Sequence, residues 1–253
     1  MYDKKETDIS YKYLKSIISK LKEPIVIIGG WATYLTVNKL YKKQFGINYL
    51  GSRDIDLGFN AITSLKETIK ILEKDNFKLV SFRYLKEINY ETGEELTSKQ
   101  SKDLPLYSIF PMYIDLLVSK IDSKGIKEIG FTPADEPLIK LIFENKDNRT
   151  ELNEFGKKLW LPSPEIILAT KINSVANRTK DHKKIKDYCD IISICLYSGK
   201  DLNDLITSSK KYFVKRNILK LKNKLDKKEL QQVSNILKID LDIIERIINS
   251  IVE

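Results

Sequence analysis

The chain has 253 residues, of which 42% are hydrophobic and 31% are charged, and this composition excludes a disordered or fibrous protein. Its 44 basic and 35 acidic residues give a formal net charge of +9. One histidine (His182) and two cysteines (Cys189 and Cys195) exclude a disulfide scaffold, a Cys/His zinc site and any mechanism that needs two histidines. No apolar run approaches the roughly 18 residues of a membrane span and the first residues lack the apolar core of a signal peptide, so we expect a soluble, cytoplasmic protein without a membrane partner.

The first third of the chain is predicted to alternate helices with short strands. Apolar positions three and four residues apart indicate helices, whereas β-branched runs and strict alternation indicate strands. Pro24 ends the first helix, the pair Gly29-Gly30 ends the first strand, and Ser64 is the predicted N-cap of the third helix. The predicted elements are a helix over 8–22, a strand over 25–28, a helix over 31–40, a strand over 54–59, a helix over 64–75 and a strand over 77–82.

The rest of the chain is predicted to begin with a loop and to end in helices. Residues 83–105 are polar and are predicted to form a loop with a hairpin tip at 91–94. The elements predicted after it are strands over 113–118 and 126–131, helices over 165–176 and 183–197, and further helices from about Asn203, Lys227 and Asp240. Five strands with interleaved helices, followed by helices alone, predict an α+β fold with a core over residues 1–160 and a C-terminal helical module over 161–253, divided near Pro162.

Three aspartates are the candidate metal ligands. Asp54 and Asp56 are two apart on a predicted strand, so their side chains share one face, and Asp115 lies within an apolar strand, where an unpaired carboxylate is costly to bury. Carboxylates this close repel one another and favour a bound cation. Oxygen ligands without histidine suit Mg²⁺ or Mn²⁺. The alternatives are a salt-bridged surface pair for Asp54 and Asp56, and a neighbouring lysine as the partner of Asp115.

Four residues at the borders of the first two predicted strands are candidate phosphate ligands. Gly29 and Gly30 would let the backbone approach a ligand closely, and the N-terminus of the following helix offers free N–H groups to phosphate. Ser52 and Arg53, just before the first aspartate, could add a hydroxyl and a positive charge. The alternative for the glycine pair is a tight turn between strand and helix.

The helical half carries the positive charge. Between Lys171 and Lys228 there are 16 basic and 6 acidic residues, a net of +10, and such a field is typical of a polyanion partner. Lys171 and Arg178 share a helix face and are candidate triphosphate ligands, and Asp187 and Asp190 could hold them in place. We expect Lys183, Lys184 and Lys186 to meet phosphates of this partner, although the basic residues could instead only solvate helix surfaces.

The order of these motifs resembles a known superfamily. A hydrophobic strand, Gly29-Gly30, a spacer, Asp54-Ile55-Asp56 and a later Asp115 are similar to the signature of the nucleotidyltransferases of the DNA polymerase β superfamily. Within it, the chain looks most like the abortive-infection AbiEii-type toxins, although its spacer is longer than in the shortest members and Ser52 stands where threonine is usual. The resemblance covers roughly residues 20–195, and its later part consists of the segments 168–171, 178–184 and 186–191.

The resemblance implies a nucleotidyltransferase core built on a mixed β-sheet. The implied activity transfers a nucleoside monophosphate from an NTP to an acceptor with Mg²⁺ or Mn²⁺ in a two-metal site of Asp54, Asp56 and Asp115, and Asp115 would help to deprotonate the acceptor. RNA, and tRNA in particular, is the expected acceptor. If the toxin resemblance holds, an antitoxin protein is the expected partner.

The sequence is also compatible with two other classes of function. The chain could be a catalytically silent module that binds a nucleotide or nucleic acid with the same fold, although three retained acids speak against it. It could also be an interaction protein whose basic helices bind a partner.

For Lys171→Ala, the sequence predicts unchanged or slightly higher stability, because alanine is the better helix former.

Overall fold

The computed structural model describes residues 3–223 and 226–253, and these form two compact units. The sheet unit comprises the described residues up to Trp31 together with Gly51–Pro162, and the helical unit comprises Ala32–Leu50 and Ser163–Glu253. The strands of the described chain are β1 (Ile25–Ile28), β2 (Ile55–Phe59), β3 (Lys78–Val80), β4 (Arg83–Asn89), β5 (Ile109–Val118), β6 (Ala134–Asp135), β7 (Arg149–Glu154) and β8 (Lys157–Pro162).

The α-helices of the described residues alternate with the strands at first and then stand alone. They are α1 (Lys4–Lys20), α2 (Gly29–Phe45), α3 (Ile62–Lys74), α4 (Ser98–Asp103), α5 (Ser123–Ile129), α6 (Ile139–Glu144), α7 (Pro164–Val175), α8 (Asp181–Tyr197), α9 (Leu202–Ser209), α10 (Lys215–Asn223), α11 (Lys227–Leu237) and α12 (Leu241–Val252). Among these described helices, none combines the length and the apolar character that a membrane span requires.

A single mixed sheet organises the sheet unit. Its strands lie in the order β3-β4-β5-β2-β1-β8-β7, with β6 added beside the end of β5. The pairs β2–β5 and β1–β8 are parallel, whereas β1–β2, β4–β5, β3–β4 and β7–β8 are antiparallel. The predicted α+β fold, with a mixed sheet and C-terminal helices, is therefore confirmed.

The central strands form where the sequence is most apolar. All four residues of β1 are buried, as expected for a strand covered on both faces. In β5, burial alternates along the strand, so that Met112, Ile114 and Leu116 face the core while Asp115 points to the opposite face. This alternation places a carboxylate on the outer face of an otherwise apolar strand.

Two predictions in the middle of the chain are wrong, and a third gives a strand that is too long. Residues 83–89 form strand β4, which pairs with β5 along seven residues, rather than a loop. Residues 126–131, predicted as a strand, lie mostly in α5, because Asp122 caps that helix at Gly125 and Gly130 ends it with a φ of 81°. The strand predicted over 77–82 is shorter, because Ser81, at a φ of 62°, turns the chain after Val80.

Other boundaries are close to prediction. The hairpin tip at 91–94 is confirmed, since the Asn89 N–H donates to the Glu94 carbonyl at 2.8 Å. Helix α3 begins before Ser64, whose hydroxyl donates to the Ala61 carbonyl instead of capping the helix. The described chain also contains β6, β7 and β8, so it has more strands than the five predicted.

The helical unit is built around α7 and α8. The two helices make an extensive interface, and twelve residues of α8 are buried, including both cysteines. Burial raises the pKa of the Cys189 thiol and of the Cys195 thiol to about 12, so both are protonated at neutral pH. Helix α12 buries Ile244, Ile247 and Ile248 along one stripe.

Candidate active site

Two glycines allow the chain to turn from β1 into α2 beside an acidic side chain. Gly29 has a φ of +65°, and a Cβ built there would lie 1.9 Å from the Asp56 Oδ2 atom. At Gly30, a Cβ would lie 2.6 Å from the Ser52 hydroxyl. Both spaces are therefore occupied by side chains that were predicted as site residues, and glycine is required at both positions.

A Gly29→Ala substitution is expected to destabilise the sheet unit more than a matched change elsewhere. Gly156, with a φ of +72° and no atom within 4 Å of a built Cβ, is the control, because alanine there meets the same backbone strain without a clash. That strain costs about 1–2 kcal/mol, and the clash with Asp56 should add about 1–3 kcal/mol. Urea unfolding measures both, and equal losses for the two variants would contradict the crowding described here.

The three aspartates lie on two neighbouring strands of the sheet unit or directly before one of them. Asp56 on β2 and Asp115 on β5 are direct partners in the parallel register, and Asp54 immediately precedes β2. Partners in a parallel register have side chains on the same face of a sheet. The side chains of Asp54 and Asp115 are 21% and 19% exposed, which leaves them open to a ligand.

Arg83, at the first position of β4, is a site residue that the sequence did not reveal. Its Nε and Nη2 atoms donate to the two carboxylate oxygens of Asp115 at 2.5 and 2.8 Å, and Nη2 also lies 3.0 Å from Asp54 Oδ2. The guanidinium stacks over the Tyr113 ring, 4.2 Å from its centre. Burial opposes its charge, but the hydrogen bond to Asp115 and the charge of Asp54 outweigh burial and raise the pKa of Arg83 above its usual value.

Ser52 and Arg53 lie next to the carboxylates but already have partners within the sheet unit. The buried Ser52 hydroxyl donates to the Asp54 carbonyl at 3.0 Å, which fixes the segment that leads into β2. Arg53 pairs with Glu6 of α1 at 3.0 Å and lies over the Phe110 ring at 5.4 Å. Its partial exposure, 31% of the side chain, leaves room to turn toward an anion.

The carboxylates have the right chemistry for a hard cation. Asp54 and Asp115 converge on a positive group, and their oxygens are the ligands that Mg²⁺ and Mn²⁺ prefer. In the part of the chain that the structure describes, no group of three or more histidine, cysteine or acidic side chains is arranged to hold a metal ion. The oxygen chemistry of Asp54 and Asp115 suits a divalent cation, but in this structure the group that both carboxylates bind is the Arg83 guanidinium.

A second cluster lies inside the helical unit and contains the other predicted site residues. Lys171 Nζ lies 3.0 Å from Asp187 Oδ1 and 2.6 Å from Asp190 Oδ2, and Arg178 Nε lies 2.6 Å from Asp187 Oδ2. Lys186 Nζ lies 2.5 Å from Asp190 Oδ1. Asp187 thus holds both Lys171 and Arg178, which is the arrangement that the sequence suggested for it.

Burial makes this cluster a structural core of α7 and α8. The side chains of Lys171, Asp187 and Asp190 are 10%, 3% and 0% exposed, and Tyr49 also donates to Asp190, at 2.7 Å. Burial opposes the charge of Lys171, but Asp187 and Asp190 outweigh it and raise the pKa of Lys171. Burial would raise the pKa of Asp190, but Lys171 and Lys186 outweigh it and lower that pKa.

The basic segment is only partly a surface for a polyanion. Of the three lysines expected to meet phosphates, Lys186 is buried and Lys184 pairs with Glu229 at 2.6 Å. This expectation is therefore wrong for the buried Lys186, whereas for Lys183 and Lys184 it stays a prediction. Exposed basic residues of the segment include Arg178 and Lys180, which precede α8. Those on or just before α10 are Lys210, Lys211, Lys215, Arg216, Lys220 and Lys222.

Comparisons with known proteins add little to this description. No family model matches the sequence, and no curated protein matches it. One solved structure that resembles the chain is an antigenic nucleotidyltransferase-like protein from Paracoccidioides brasiliensis, at 19% identity and a TM-score of 0.41 over 94% of each chain.

Proposed function

We propose that the protein is a metal-dependent nucleotidyltransferase that transfers a nucleoside monophosphate from an NTP to an RNA acceptor, tRNA above all. The observation that carries the proposal is the placement of three carboxylates side by side: Asp56 and Asp115 are partners on neighbouring strands, and Asp54, directly before β2, shares the contact of Asp115 with Arg83. Asp56 in turn lies against Gly29, where α2 begins. A helix N-terminus favours phosphate and a carboxylate group favours a cation, so the arrangement suits a nucleotide that carries a divalent ion.

Each residue has a proposed part in the reaction. The oxygen of the acceptor hydroxyl attacks the α-phosphorus, the bond from that phosphorus to the bridging oxygen breaks, and pyrophosphate leaves. Asp115 accepts the hydroxyl proton, directly or through water, and Asp54, Asp56 and Asp115 would hold the cation. Bound divalent ions activate a hydroxyl and stabilise the charge of a leaving pyrophosphate. Ser52 and Arg53, together with Gly29 and Gly30, would hold the triphosphate.

In the helical unit, Arg178 is the better candidate for a phosphate ligand. Its side chain is 36% exposed, whereas that of Lys171 is 10% exposed and lies between two carboxylates. Asp187 orients Arg178 through the ion pair at 2.6 Å. We infer that Lys171, Asp187 and Asp190 support this region by positioning Arg178 rather than by binding phosphate themselves.

The reaction is tested by incubating the protein with total tRNA, Mg²⁺ and each common NTP labelled at the α-phosphate or, separately, at the γ-phosphate. Nucleotidyl transfer places the α-label, but not the γ-label, in RNA. Incorporation of the γ-label alone would indicate phosphoryl transfer and would refute the proposal. An antitoxin partner is proposed only if the same activity stops growth when the protein is expressed alone.

A catalytically silent binding module is the second candidate, and the position of Arg83 favours it. A guanidinium that neutralises both Asp54 and Asp115 can complete a fold without any metal. Such a module would bind an NTP or RNA in a filter-binding assay and would incorporate neither label. The two candidates are therefore separated by the same set of incubations.

Acceptor binding is expected to depend on salt through the exposed residues of α10. Replacing Lys215, Arg216 and Lys222 together by alanine should flatten the slope of log affinity against log salt by up to about 2, because each phosphate contact on a single strand contributes about 0.7. Fluorescence anisotropy with labelled tRNA measures this slope. The charge-matched control replaces the exposed lysines Lys99, Lys102 and Lys124 of the sheet unit and should leave the slope unchanged. Equal slopes for the two triple variants would assign α10 no role in RNA binding.

A further inference from the structure

The position of Arg83 has a consequence for how the carboxylates can bind a cation. Its guanidinium binds both oxygens of Asp115 and one oxygen of Asp54, the same groups that would coordinate a metal. The lone pairs that accept from the guanidinium at 2.5–3.0 Å are not available to a metal ion, and a cation bound beside them would be repelled by the positive charge of Arg83. Arg83 and a divalent cation are thus alternative ligands of Asp54 and Asp115.

We propose that Arg83 is the resident counter-ion of the carboxylate site, which a divalent cation must displace, and that a polyphosphate bound with the cation receives the displaced guanidinium. This inference rests on the proposed function only in taking Asp54 and Asp115 as cation ligands. It adds a residue and an order of events: a cation alone binds weakly, because Arg83 would lose its partners. A cation that arrives with polyphosphate binds more tightly, because the phosphates replace the lost carboxylates.

The surroundings of Arg83 support an exchange rather than a fixed ion pair. Its side chain is 22% exposed, and those of Asp54 and Asp115 are similarly open, so a ligand can reach all three. By contrast, the ion pairs of Asp190 in the helical unit are completely buried on the carboxylate side. The Tyr113 ring beneath the guanidinium offers a flat surface that needs no fixed hydrogen-bond geometry, so Arg83 can turn on it.

The test measures binding of Mn²⁺ alone, without nucleotide, by electron paramagnetic resonance. Arg83→Gln should bind Mn²⁺ about ten- to a hundredfold more tightly than the wild type, because competing charge-assisted hydrogen bonds are removed. Adding Asp115→Asn to that variant should abolish the gain. Unchanged Mn²⁺ affinity in Arg83→Gln would overturn the inference, whatever the transferase assay shows.

Two control variants separate competition from general effects. Arg149→Gln removes an arginine of the same kind, one that stacks on the Trp160 ring at 3.7 Å and pairs with Glu151, and it should leave Mn²⁺ affinity unchanged. Arg53→Gln removes a positive charge next to Asp54 in the chain and should change the affinity by less than about threefold. A gain in Arg53→Gln equal to that in Arg83→Gln would show that charge alone is responsible, which would also overturn the inference.

A measurement on the wild-type protein tests the displacement directly. Isotope-labelled arginine gives a resonance for the Arg83 Nε–H group, assigned by its loss in Arg83→Gln or, if that variant does not fold, in Arg83→Lys. Mg²⁺ added with pyrophosphate should shift this resonance, because the bonds to Asp115 are broken, whereas Mg²⁺ alone should shift it only at much higher concentration. A resonance that stays in place under both conditions would refute displacement. Displacement without label transfer to RNA would refute the transferase and leave this inference standing.

Discussion

Asp56→Asn is expected to abolish nucleotidyl transfer while the sheet unit keeps its fold. The amide is nearly isosteric with the carboxylate, so its packing against Gly29 persists, and what is lost is the charge that would hold a cation. Losing about 4 kcal/mol of transition-state stabilisation corresponds to roughly a thousandfold slower transfer. Incorporation of α-labelled nucleotide into RNA measures the loss, and thermal unfolding confirms that the fold is retained.

Asp135→Asn is the matched control for this result. Asp135 is an exposed aspartate on β6, beside Val118 at the far end of β5, and it should tolerate the same change without loss of activity. Near wild-type activity of Asp56→Asn with Mg²⁺ would show that β2 does not carry the metal site. Equal losses in both variants would point to a general effect on the sheet.

Lys171→Ala is expected to lower the free energy of unfolding by about 3–5 kcal/mol, the cost of breaking a buried ion pair. This reverses the expectation from helix propensity, because the gain from alanine is smaller than the cost of leaving Asp187 and Asp190 with one fewer cation. Urea unfolding followed by circular dichroism measures the change. The control, Lys200→Ala, removes a half-exposed lysine 3.5 Å from Glu165 and should cost less than about 1 kcal/mol.

The pH dependence of this loss follows from the two shifted groups. The lowered pKa of Asp190 gives stability that is present above its unfolded value, near 3.9, and is lost as the pH falls through the folded value. The raised pKa of Lys171 gives stability that is present below about 10.4 and is lost as the pH rises through the folded value. The gap between the wild type and Lys171→Ala should therefore be widest between about pH 4 and pH 10. A gap no larger than that of Lys200→Ala at neutral pH would contradict the buried network.

The carboxylate strands could be predicted from the sequence because their apolar residues are regular. The β-branched run Ile25–Ile28 indicates a strand, and so does the alternation of apolar and acidic residues around Asp56 and Asp115. Residues 126–131 match both a strand and a helix, and the caps at Asp122 and Gly130, rather than the apolar spacing, favour the helix.

Arg83 was missed because a buried lysine interrupts the pattern of its strand. Lys86 takes an inward position between Tyr84 and Ile88, with a side chain 4% exposed, and pairs with Glu95 at 3.0 Å. Its ammonium group also lies 4.6 Å from the centre of the Phe77 ring. A lysine in that position makes β4 look like a polar loop, and the contact of Arg83 with Asp115 depends on a pairing register that sequence alone does not supply.

The charges of the helical unit were misjudged for a related reason. A run of basic residues around Lys183 is typical of a solvated surface, yet Lys186 faces inward because Asp190, one turn later, provides its partner. Burial of a lysine follows from the position of a carboxylate in three dimensions, and only the spacing of four residues hinted at it. The sequence thus indicated that Asp187 and Asp190 hold basic side chains, but it did not indicate that Lys186 is buried.

The natural distribution of two residue types provides separate optical and chemical reporters for the two units. Both tryptophans of the chain, Trp31 and Trp160, belong to the sheet unit, and both cysteines lie on α8 of the helical unit. Intrinsic fluorescence therefore follows the environment of the sheet, while the rate of thiol alkylation follows the opening of α8. The order in which the two units lose structure can be read from the wild-type chain without attaching a dye or introducing a label.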